Sequence, residues 1–362
     1  MADRERYHYV SRDLLSAWSD DGERVDWCNP SRNKSRKDCP PDDIYYFDYP
    51  SVPQKEDVTR LERYMKLTLS ALKGGNAAFL RSESVAGREA VLFQYMRTPL
   101  YHKLDYAHYQ DKEALEWLNG HRGDDFFLDE DDFDLSTGFL VEKVLFDNSE
   151  LAMHLFDLRP VLLHAPEGKS FIVGASPVNV LNPYFEKRYL KTRYDHKLFQ
   201  YKGAFIVMPV TPSLALCLYD SCIYSLRGKE DGIVLTEDDT DRLNMVQLYN
   251  SDRDGGVVYK GDEEYLYRLL GKLGVSKWRD NYDWLKGYGF PFSTLLSPFS
   301  IKDRAQKETG KNLKLFLRPF VSAMDEYDRV NMKNLTADNI VEKTYQRWLY
   351  AKDILPAYEG II

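Results

Sequence analysis

Three polar side chains have the types and spacing for acid–base chemistry on an anionic substrate: His8, Gln94 and Arg97. Imidazole exchanges protons near neutral pH, so His8 can act as a general acid or base. The planar fork of Arg97 suits phosphate or carboxylate oxygens, and Gln94 lies one helical turn before it. We therefore predict a catalytic group of these three residues. The alternative is that they bond buried backbone groups and fix the N-terminal segment to a helix.

Two further polar residues follow an apolar run, where a predicted strand ends. Ser176 and Asn182 come after Phe171–Gly174 and are candidate substrate-binding residues, because loops at strand ends often carry binding sites. Turn stabilisation by Ser and Asn side chains explains them equally well. Arg97 and His102 also match the Arg-x-x-x-x-His pattern of certain helical ribonucleases, but Pro99 between them disturbs the helix that would align them.

Two charged runs are weaker candidates. The acidic residues at 124–134 could bind a divalent cation, yet they lack the spacing of a calcium loop. A solvated helix start or loop is the favoured interpretation. The basic cluster at 32–37 could contact nucleic acid, but no interleaved aromatic residues accompany it, so a solvated turn is favoured there. We identify no metal-ligand set and no cofactor motif in the sequence. A divalent metal ion stays open as a cofactor.

Composition and missing motifs narrow the class of protein. The chain has 362 residues, 43% hydrophobic and 29% charged, with a net charge of −8 that opposes indiscriminate binding to nucleic acid. It contains no phosphate-binding glycine loop, no dinucleotide fingerprint, no His-Glu-x-x-His and no Gly-x-Ser-x-Gly. Its four cysteines show no zinc-ligand spacing. Without an apolar signal core or membrane-length run, we expect a cytoplasmic protein with no membrane partner.

The elements that must position these residues follow from periodicity. Apolar residues at helical spacing predict helices over 55–73 and 87–98, and further helices over 237–251, 262–272 and 337–353. Short apolar runs between 161 and 219 predict strands. We predict an α+β fold with a helical N-terminal half, a central and largely antiparallel sheet over about 160–225, and C-terminal helices packed over it. Residues 1–255 would form the core, and 256–362 a helical extension packed on the same body.

Six segments in order resemble the domain of unknown function 4238 family over about residues 7–255. The segments are His8-Tyr9-Val10 with Leu14, Leu15 and Trp18; Ile44–Phe47 followed by the helix with Glu62; Gln94–Pro99; Phe171–Val178; Met208–Pro212; and Asn244. The resemblance adds Asn244 to the substrate-binding candidates. Two positions depart from the family pattern: Ser11 replaces a proline, and Ala175 or Ser176 stands where the family has an aspartate.

The resemblance supplies a fold outline and positions, but no reaction. From the combination of His8, Arg97 and Gln94 we predict a hydrolase that acts on a phosphodiester, with nucleic acid as the expected partner, in bacterial conflict or anti-phage defence. The alternative is a non-catalytic module that binds nucleic acid, another ligand or a protein. The sequence leaves the protein partner and any homo-oligomer open. We expect His8 and Arg97 to approach each other at a sheet edge.

Overall fold

Strands and helices are interspersed along the described part of the chain. The computed structural model describes residues 5–49, 55–80, 85–98, 101, 151–185, 198–228, 232–251, 256–273, 295–306, 318 and 321. The strands are β1 Glu5–His8, β2 Val25–Asn29, β3 Lys34–Cys39, β4 Tyr46–Tyr49, β5 Arg159–His164, β6 Val173–Gly174, β7 Asn179–Leu181, β8 Phe205–Thr211, β9 Leu214–Tyr219, β10 Tyr224–Leu226, β11 Ile233–Val234, β12 Val257–Tyr259 and β13 Phe299–Ile301. The helices are α1 Arg12–Leu15, α2 Lys55–Lys73, α3 Val85–Met96, α4 Glu237–Asn250, α5 Glu263–Leu273 and α6 Asp303–Gln306.

The larger sheet has five strands in the order β11-β5-β9-β8-β7. Its neighbours run antiparallel, except that β11 pairs parallel with β5. β9 is buried along its whole length, and only the last residue of β8 is partly exposed. Strands buried on both faces read as continuous apolar runs, which is why the sequence predicts β5, β8 and β9 correctly.

The second sheet has four strands in the order β3-β2-β12-β6, all antiparallel. It joins strands from the start, the middle and the later part of the described chain. A small apolar cluster lies between this sheet and the helices α4 and α5. Its members are Cys28, Ile172, Leu248, Val257, Tyr259, Leu266 and Leu269. Two separate ribbons, β1 with β4 and β10 with β13, complete the strand pairing.

Helix α2 forms the layer on which the N-terminal segment rests. Its buried face follows helical spacing, as the sequence predicts, and its bounds agree with the predicted 55–73. The apolar residues of this face are Val58, Leu61, Met65, Leu69 and Leu72. The other face is exposed at Arg63 and Lys66. Helix α3 packs against α2 and is buried from Gly87 to its end.

The predicted fold class is wrong. Four strands already lie in residues 5–49, the strands form more than one sheet, and helices are scattered among them. The predicted strand at 171–174 contributes β6 to the four-stranded sheet rather than to the central one. The strand β3 was missed because Lys34 to Asp38 are charged or polar and exposed, so no apolar alternation marks it. The predicted helix over 337–353 lies outside the described residues.

The division at residue 255 stays a prediction. Strand β12, at 257–259, lies between β2 and β6 in the four-stranded sheet, so the chain just beyond that boundary shares a sheet with the chain before it. Among the residues that the structure describes, no helix combines the length and apolarity needed to cross a bilayer.

Candidate functional site

A cleft of about 950 Å³ lies between the N-terminal segment and helix α2. Strand β1, helix α1, the turn before β4 and the first half of α2 supply its walls. The residues that line it are Arg6, Tyr7, His8, Ser11, Arg12, Asp13, Ser16, Gly22, Glu23, Pro40, Pro41, Asp42, Val58, Thr59 and Glu62. Most of these side chains are polar, and both signs of charge are present. The cleft can therefore bind a polar or ionic ligand and hold it beside titratable groups.

His8 is the imidazole of this cleft. It ends β1, and its side chain is mostly buried. The ring Nε2 lies 3.3 Å from the backbone oxygen of Asp42 and 3.8 Å from its carboxylate. Burial lowers the pKa of His8 below 6.5, against the opposing pull of Asp42. Near neutral pH the imidazole is uncharged, with one nitrogen able to accept a proton.

The guanidinium groups of Arg6 and Arg12 share the cleft with His8 and contact Asp43 and Asp42, respectively. Arg12 forms an ion pair with the Asp42 carboxylate. Arg6 donates to the Asp42 backbone oxygen at 3.0 Å and to the Asp43 carboxylate at 2.8 Å. Both arginines are substantially exposed, so their ion pairs are weakly held in water. An anionic ligand can exchange with these carboxylates without a large change in the fold.

Glu62 faces His8's cleft from helix α2. One of its oxygens pairs with the Arg97 guanidinium, and the other accepts a hydrogen bond from the Ser11 hydroxyl at 3.4 Å. Glu62 is 33% exposed, whereas Arg97 is 1% exposed. The carboxylate therefore reaches the cleft while the cation that anchors it stays behind the cleft wall.

Gln94 and Arg97 together fix the opening segment of the chain. The Gln94 amide accepts from the Ser11 N–H at 3.0 Å and donates to the Tyr9 oxygen at 2.9 Å. The Arg97 guanidinium donates to the same Gln94 oxygen at 2.6 Å. Gln94 is fully buried, and neither residue lines the cleft. The structure thus brings His8 to the cleft and places Arg97 and Gln94 behind it.

Tyr7 and Phe93 complete the surroundings of the Arg97 guanidinium. Burial raises the pKa of Tyr7 to about 12, although the nearby Arg97 acts in the opposite direction. The centre of the Phe93 ring lies 4.7 Å from the guanidinium carbon of Arg97. The buried cation here contacts one carboxylate, one amide and the Phe93 ring. It acts on any ligand through Glu62, so we class it as a positioning residue.

Sequence reasoning missed Glu62 and Asp42 as cleft residues. A signal existed for Glu62: it follows Val58 by four residues and precedes Met65 by three, so it borders the apolar face of α2. A carboxylate at that position is directed toward the packed side of the helix. Asp42 gave no comparable signal, because its place beside His8 depends on the pairing of β1 with β4.

The predicted substrate-binding residues lie elsewhere, and none of the three lines the cleft. Asn244 on α4 accepts from the Ile172 N–H at 3.0 Å and donates to the Ser170 oxygen at 2.8 Å. Asn182 accepts from the Phe185 N–H at 2.9 Å and donates to the Lys202 oxygen at 3.1 Å. Ser176 is 1% exposed. The side chains of Asn182 and Asn244 bond backbone groups, which is how such residues stabilise turns and segment packing.

Asn244 belongs to a row of polar side chains along α4. Gln247 accepts from the Gly174 N–H and donates to the Pro177 oxygen, both at 2.8 Å. The Ser251 hydroxyl accepts from the Ala175 N–H at 3.2 Å. Helix α4 thus supplies hydrogen bonds to the segment around β6 that a further strand would otherwise provide. Asn244 therefore has a structural role in this packing.

Within the described ranges, no group of three or more His, Cys, Asp or Glu side chains is arranged to hold a metal ion. The acidic run at 124–134 and His102 fall outside those ranges. The basic cluster at 32–37 forms the end of the β2–β3 connection and the start of β3, instead of the predicted solvated turn.

Comparison with known proteins gives a family and no activity. The model of the DUF4238 family, described as proteins of unknown function, matches residues 6–263. Neither the curated proteins nor the solved structures provide a match. The predicted resemblance over 7–255 is confirmed, and the match extends through β12 to the first residue of α5. The cleft residues, the Gln94–Arg97 anchor and the α4 row all lie inside it, and the chain belongs to the DUF4238 family.

Proposed function

We propose that the cleft between β1 and α2 is the active site of a nuclease-like hydrolase that acts on a phosphodiester. The observation that carries the proposal is that an imidazole, His8, and an anchored carboxylate, Glu62, line one cleft together with two exposed guanidinium groups. An acid–base group, a carboxylate and phosphate-binding cations are what phosphodiester hydrolysis requires.

Each residue has a separate part in the proposed reaction. Arg6 and Arg12 bind the phosphate oxygens in place of Asp43 and Asp42. His8, uncharged near neutral pH, accepts the proton of the attacking water as its oxygen bonds to phosphorus. The ester P–O bond then breaks, and the leaving oxygen takes a proton from the imidazolium or from solvent. Glu62 accepts a hydrogen bond from the attacking water and orients it.

Arg97 supports this reaction without touching the substrate. Its buried guanidinium fixes the Glu62 carboxylate, and Gln94 fixes the guanidinium. Gln94 also bonds the backbone on both sides of Val10, two residues beyond His8. Arg97 and Gln94, two of the three residues of the predicted catalytic group, thus contribute by positioning Glu62 and the segment that carries His8.

The test is cleavage of labelled RNA, single-stranded DNA and double-stranded DNA by the purified protein, with Mg²⁺ or Mn²⁺ and with a chelator. We expect His8→Ala and Glu62→Gln each to lower the rate by at least about 100-fold, the usual contribution of an acid–base group. His164→Ala and Glu264→Gln are matched controls, because neither residue lines the cleft. Equal background cleavage by wild type and His8→Ala would refute the proposal.

A non-catalytic ligand-binding module is the second candidate. One observation favours it: the His8 Nε2 atom already lies within hydrogen-bond distance of the Asp42 backbone oxygen. An imidazole held in this way can tie β1 to the turn before β4 rather than transfer protons. This candidate predicts saturable binding of an oligonucleotide or another anion, weakened by Arg12→Ala, with no turnover under any metal condition.

The wider role in bacterial conflict or anti-phage defence stays a prediction from the sequence.

A further inference from the structure

Strand β3 forms the outer edge of the four-stranded sheet. It stands at one end of the order β3-β2-β12-β6, and β2 is the one described strand that pairs with it. Its residues from Lys34 to Asp38 are exposed, and only Cys39 at its end is buried. An edge strand presents backbone N–H and C=O groups that can pair with another extended chain.

The charge of β3 opposes the charge of the whole molecule. Lys34, Arg36 and Lys37 place three cations on β3, in a chain whose net charge is −8. Lys37 is held by Asp26 at 3.0 Å and by Glu263 at 3.6 Å. No carboxylate of the described residues forms an ion pair with Lys34 or Arg36, so their charges remain available to a partner.

Cross-strand packing keeps the Arg36 guanidinium on the sheet surface. Arg36 pairs with Trp27 of β2 across the sheet, and its guanidinium carbon lies 5.6 Å from the centre of the indole ring. The ring is half-buried and holds the guanidinium by a cation–π contact. A cation held in this way loses little conformational freedom when a partner binds.

These features identify an acidic strand as the partner. Charged edge strands are protected against pairing with copies of themselves, because two β3 strands would bring like charges together. A strand with acidic side chains is instead attracted by the cations of β3. Nucleic acid is a poorer fit, since the Arg36 guanidinium lies over Trp27 and the ring of Tyr259 is buried, so neither of these two rings offers an open face for base stacking.

We infer that β3 binds an extended acidic peptide of another protein, which pairs with its outer edge as a further strand of the sheet. The pairing runs over Lys34 to Lys37. At Asp38 the backbone turns to a φ of 51°, and the Arg24 guanidinium donates to the Asp38 oxygen at 2.8 Å. These two features end the straight edge. The inference is independent of the cleft and of its proposed reaction.

The experiment measures binding of a fluorescein-labelled octapeptide of alternating Glu and Val to the full chain, by fluorescence anisotropy at low ionic strength. We expect saturable binding that Lys34→Glu/Arg36→Glu weakens by at least about tenfold, since like charges then oppose. The matched control, Arg63→Glu/Lys66→Glu, reverses two exposed charges on α2 and should leave the affinity within about twofold. Both variants change exposed side chains, and circular dichroism checks that they fold.

Two further peptides separate strand addition from simple charge attraction. One peptide is methylated at the backbone nitrogens of its odd-numbered residues, and the other at those of its even-numbered residues. We expect one of the two to bind about tenfold more weakly, because it has lost the N–H donors that face β3. The inference is overturned by absence of binding, by equal affinity after charge reversal, or by full affinity of both methylated peptides. Binding of a single-stranded oligonucleotide to these residues in place of the peptide would also overturn it.

Discussion

At the scale of single residues, the Arg97 guanidinium lies in the core of the fold and forms an ion pair with a cleft residue, Glu62. It is buried, yet its ionic partner Glu62 reaches the cleft surface. A cation removed from water must be paired, since an isolated buried charge is very unfavourable. The same pairing that stabilises Arg97 holds a carboxylate in the cleft that His8 also lines. A substitution at Arg97 should therefore affect stability and the cleft together.

We expect Arg97→Met to lower the free energy of unfolding by about 3 kcal/mol, the lower end for loss of one partner of a buried pair. The effect lies at that end because Glu62 is partly exposed and can be rehydrated. Urea denaturation followed by circular dichroism measures it. Arg63→Met, an exposed substitution on α2, is the control and should change stability little. Equal midpoints for the two variants would show that the ion pair is not stabilising.

His8 should titrate below the ordinary range of histidine. Burial lowers its folded-state pKa below 6.5, while Asp42 raises it and Arg12 and Arg97 lower it further. The folded chain then binds fewer protons at His8 than the unfolded chain. The stability from His8 is complete above pH 6.5 and is lost as pH falls from there through the folded-state pKa.

NMR titration of the imidazole C–H signal, assigned by its disappearance in His8→Gln, gives the pKa directly. The same variant should flatten the fall of unfolding free energy that begins near pH 6.5 in the wild type. A His8 pKa at or above 6.5 would mean that Asp42 outweighs burial, and the imidazole would then be charged at the lower edge of neutrality.

At the scale of elements, helix α4 and the segment around β6 pack so closely that Gly174 has no room for a side chain. A Cβ atom at Gly174 would overlap the Ser251 hydroxyl and lie 2.8 Å from the Gln247 backbone oxygen. Both neighbours belong to α4 or its end, and the Gly174 N–H donates to the Gln247 side chain. The close approach is what lets the polar row of α4 reach the backbone of this segment.

We expect Gly174→Ala to lower the free energy of unfolding by about 2 kcal/mol, because the helix must shift and the hydrogen bonds of Gln247 lengthen. Gly271→Ala on α5 is the control: a Cβ there meets nothing within 4 Å, and alanine favours the helix. Thermal unfolding of the two variants should shift in opposite directions. A neutral Gly174→Ala would contradict the close packing.

Single elements were predictable where one face or both faces are apolar. Helix α2 agrees with its predicted bounds, and the helix predicted over 237–251 is α4, which Thr236 caps by accepting from the Asp239 N–H at 3.1 Å. Ser11 stands directly before α1, where serine commonly caps a helix, but its side chain makes no cap bond and contacts Glu62 instead. Local rules cannot foresee this difference, because the competing partner lies 51 residues away.

At the scale of the whole molecule, the arrangement of sheets could not be read from the sequence. The four-stranded sheet combines β2 and β3 with β6 and β12, which lie far apart in the chain. Long-range pairing leaves no periodic trace in any single segment, so the predicted single sheet was wrong. The candidate site had the same limit: His8, Gln94 and Arg97 were identified, but their separation into cleft and support, and the place of Glu62 and Asp42 in the cleft, depend on tertiary packing.

Arg318 connects the chain beyond the family match to the rest of the molecule. Its guanidinium pairs with Asp157 and donates to the His154 oxygen, and its Nε donates to the Phe199 oxygen at 3.0 Å. It is fully buried, and burial lowers its pKa to about 9. One side chain therefore joins residue 318 to two segments within the 6–263 match.

We expect Arg318→Met to destabilise the protein by about 3–5 kcal/mol, since it leaves Asp157 and two backbone oxygens without their donor. Asp157→Asn combined with Arg318→Met should be less destabilising than the sum of the two changes, because the pair is lost only once. Urea denaturation of the four proteins measures the coupling. Strict additivity would show that the ion pair contributes no coupling energy.

The reaction proposed for the cleft of His8 and Glu62 is hydrolysis of a phosphodiester. Single-turnover cleavage of the best nucleic-acid substrate, with the bound fraction measured in the same samples, tests it most directly. We expect His8→Ala to bind within about threefold of wild type and to cleave at least about 100-fold more slowly. Cleavage at the same rate by both proteins, or binding by both with no cleavage by either, would contradict the claim.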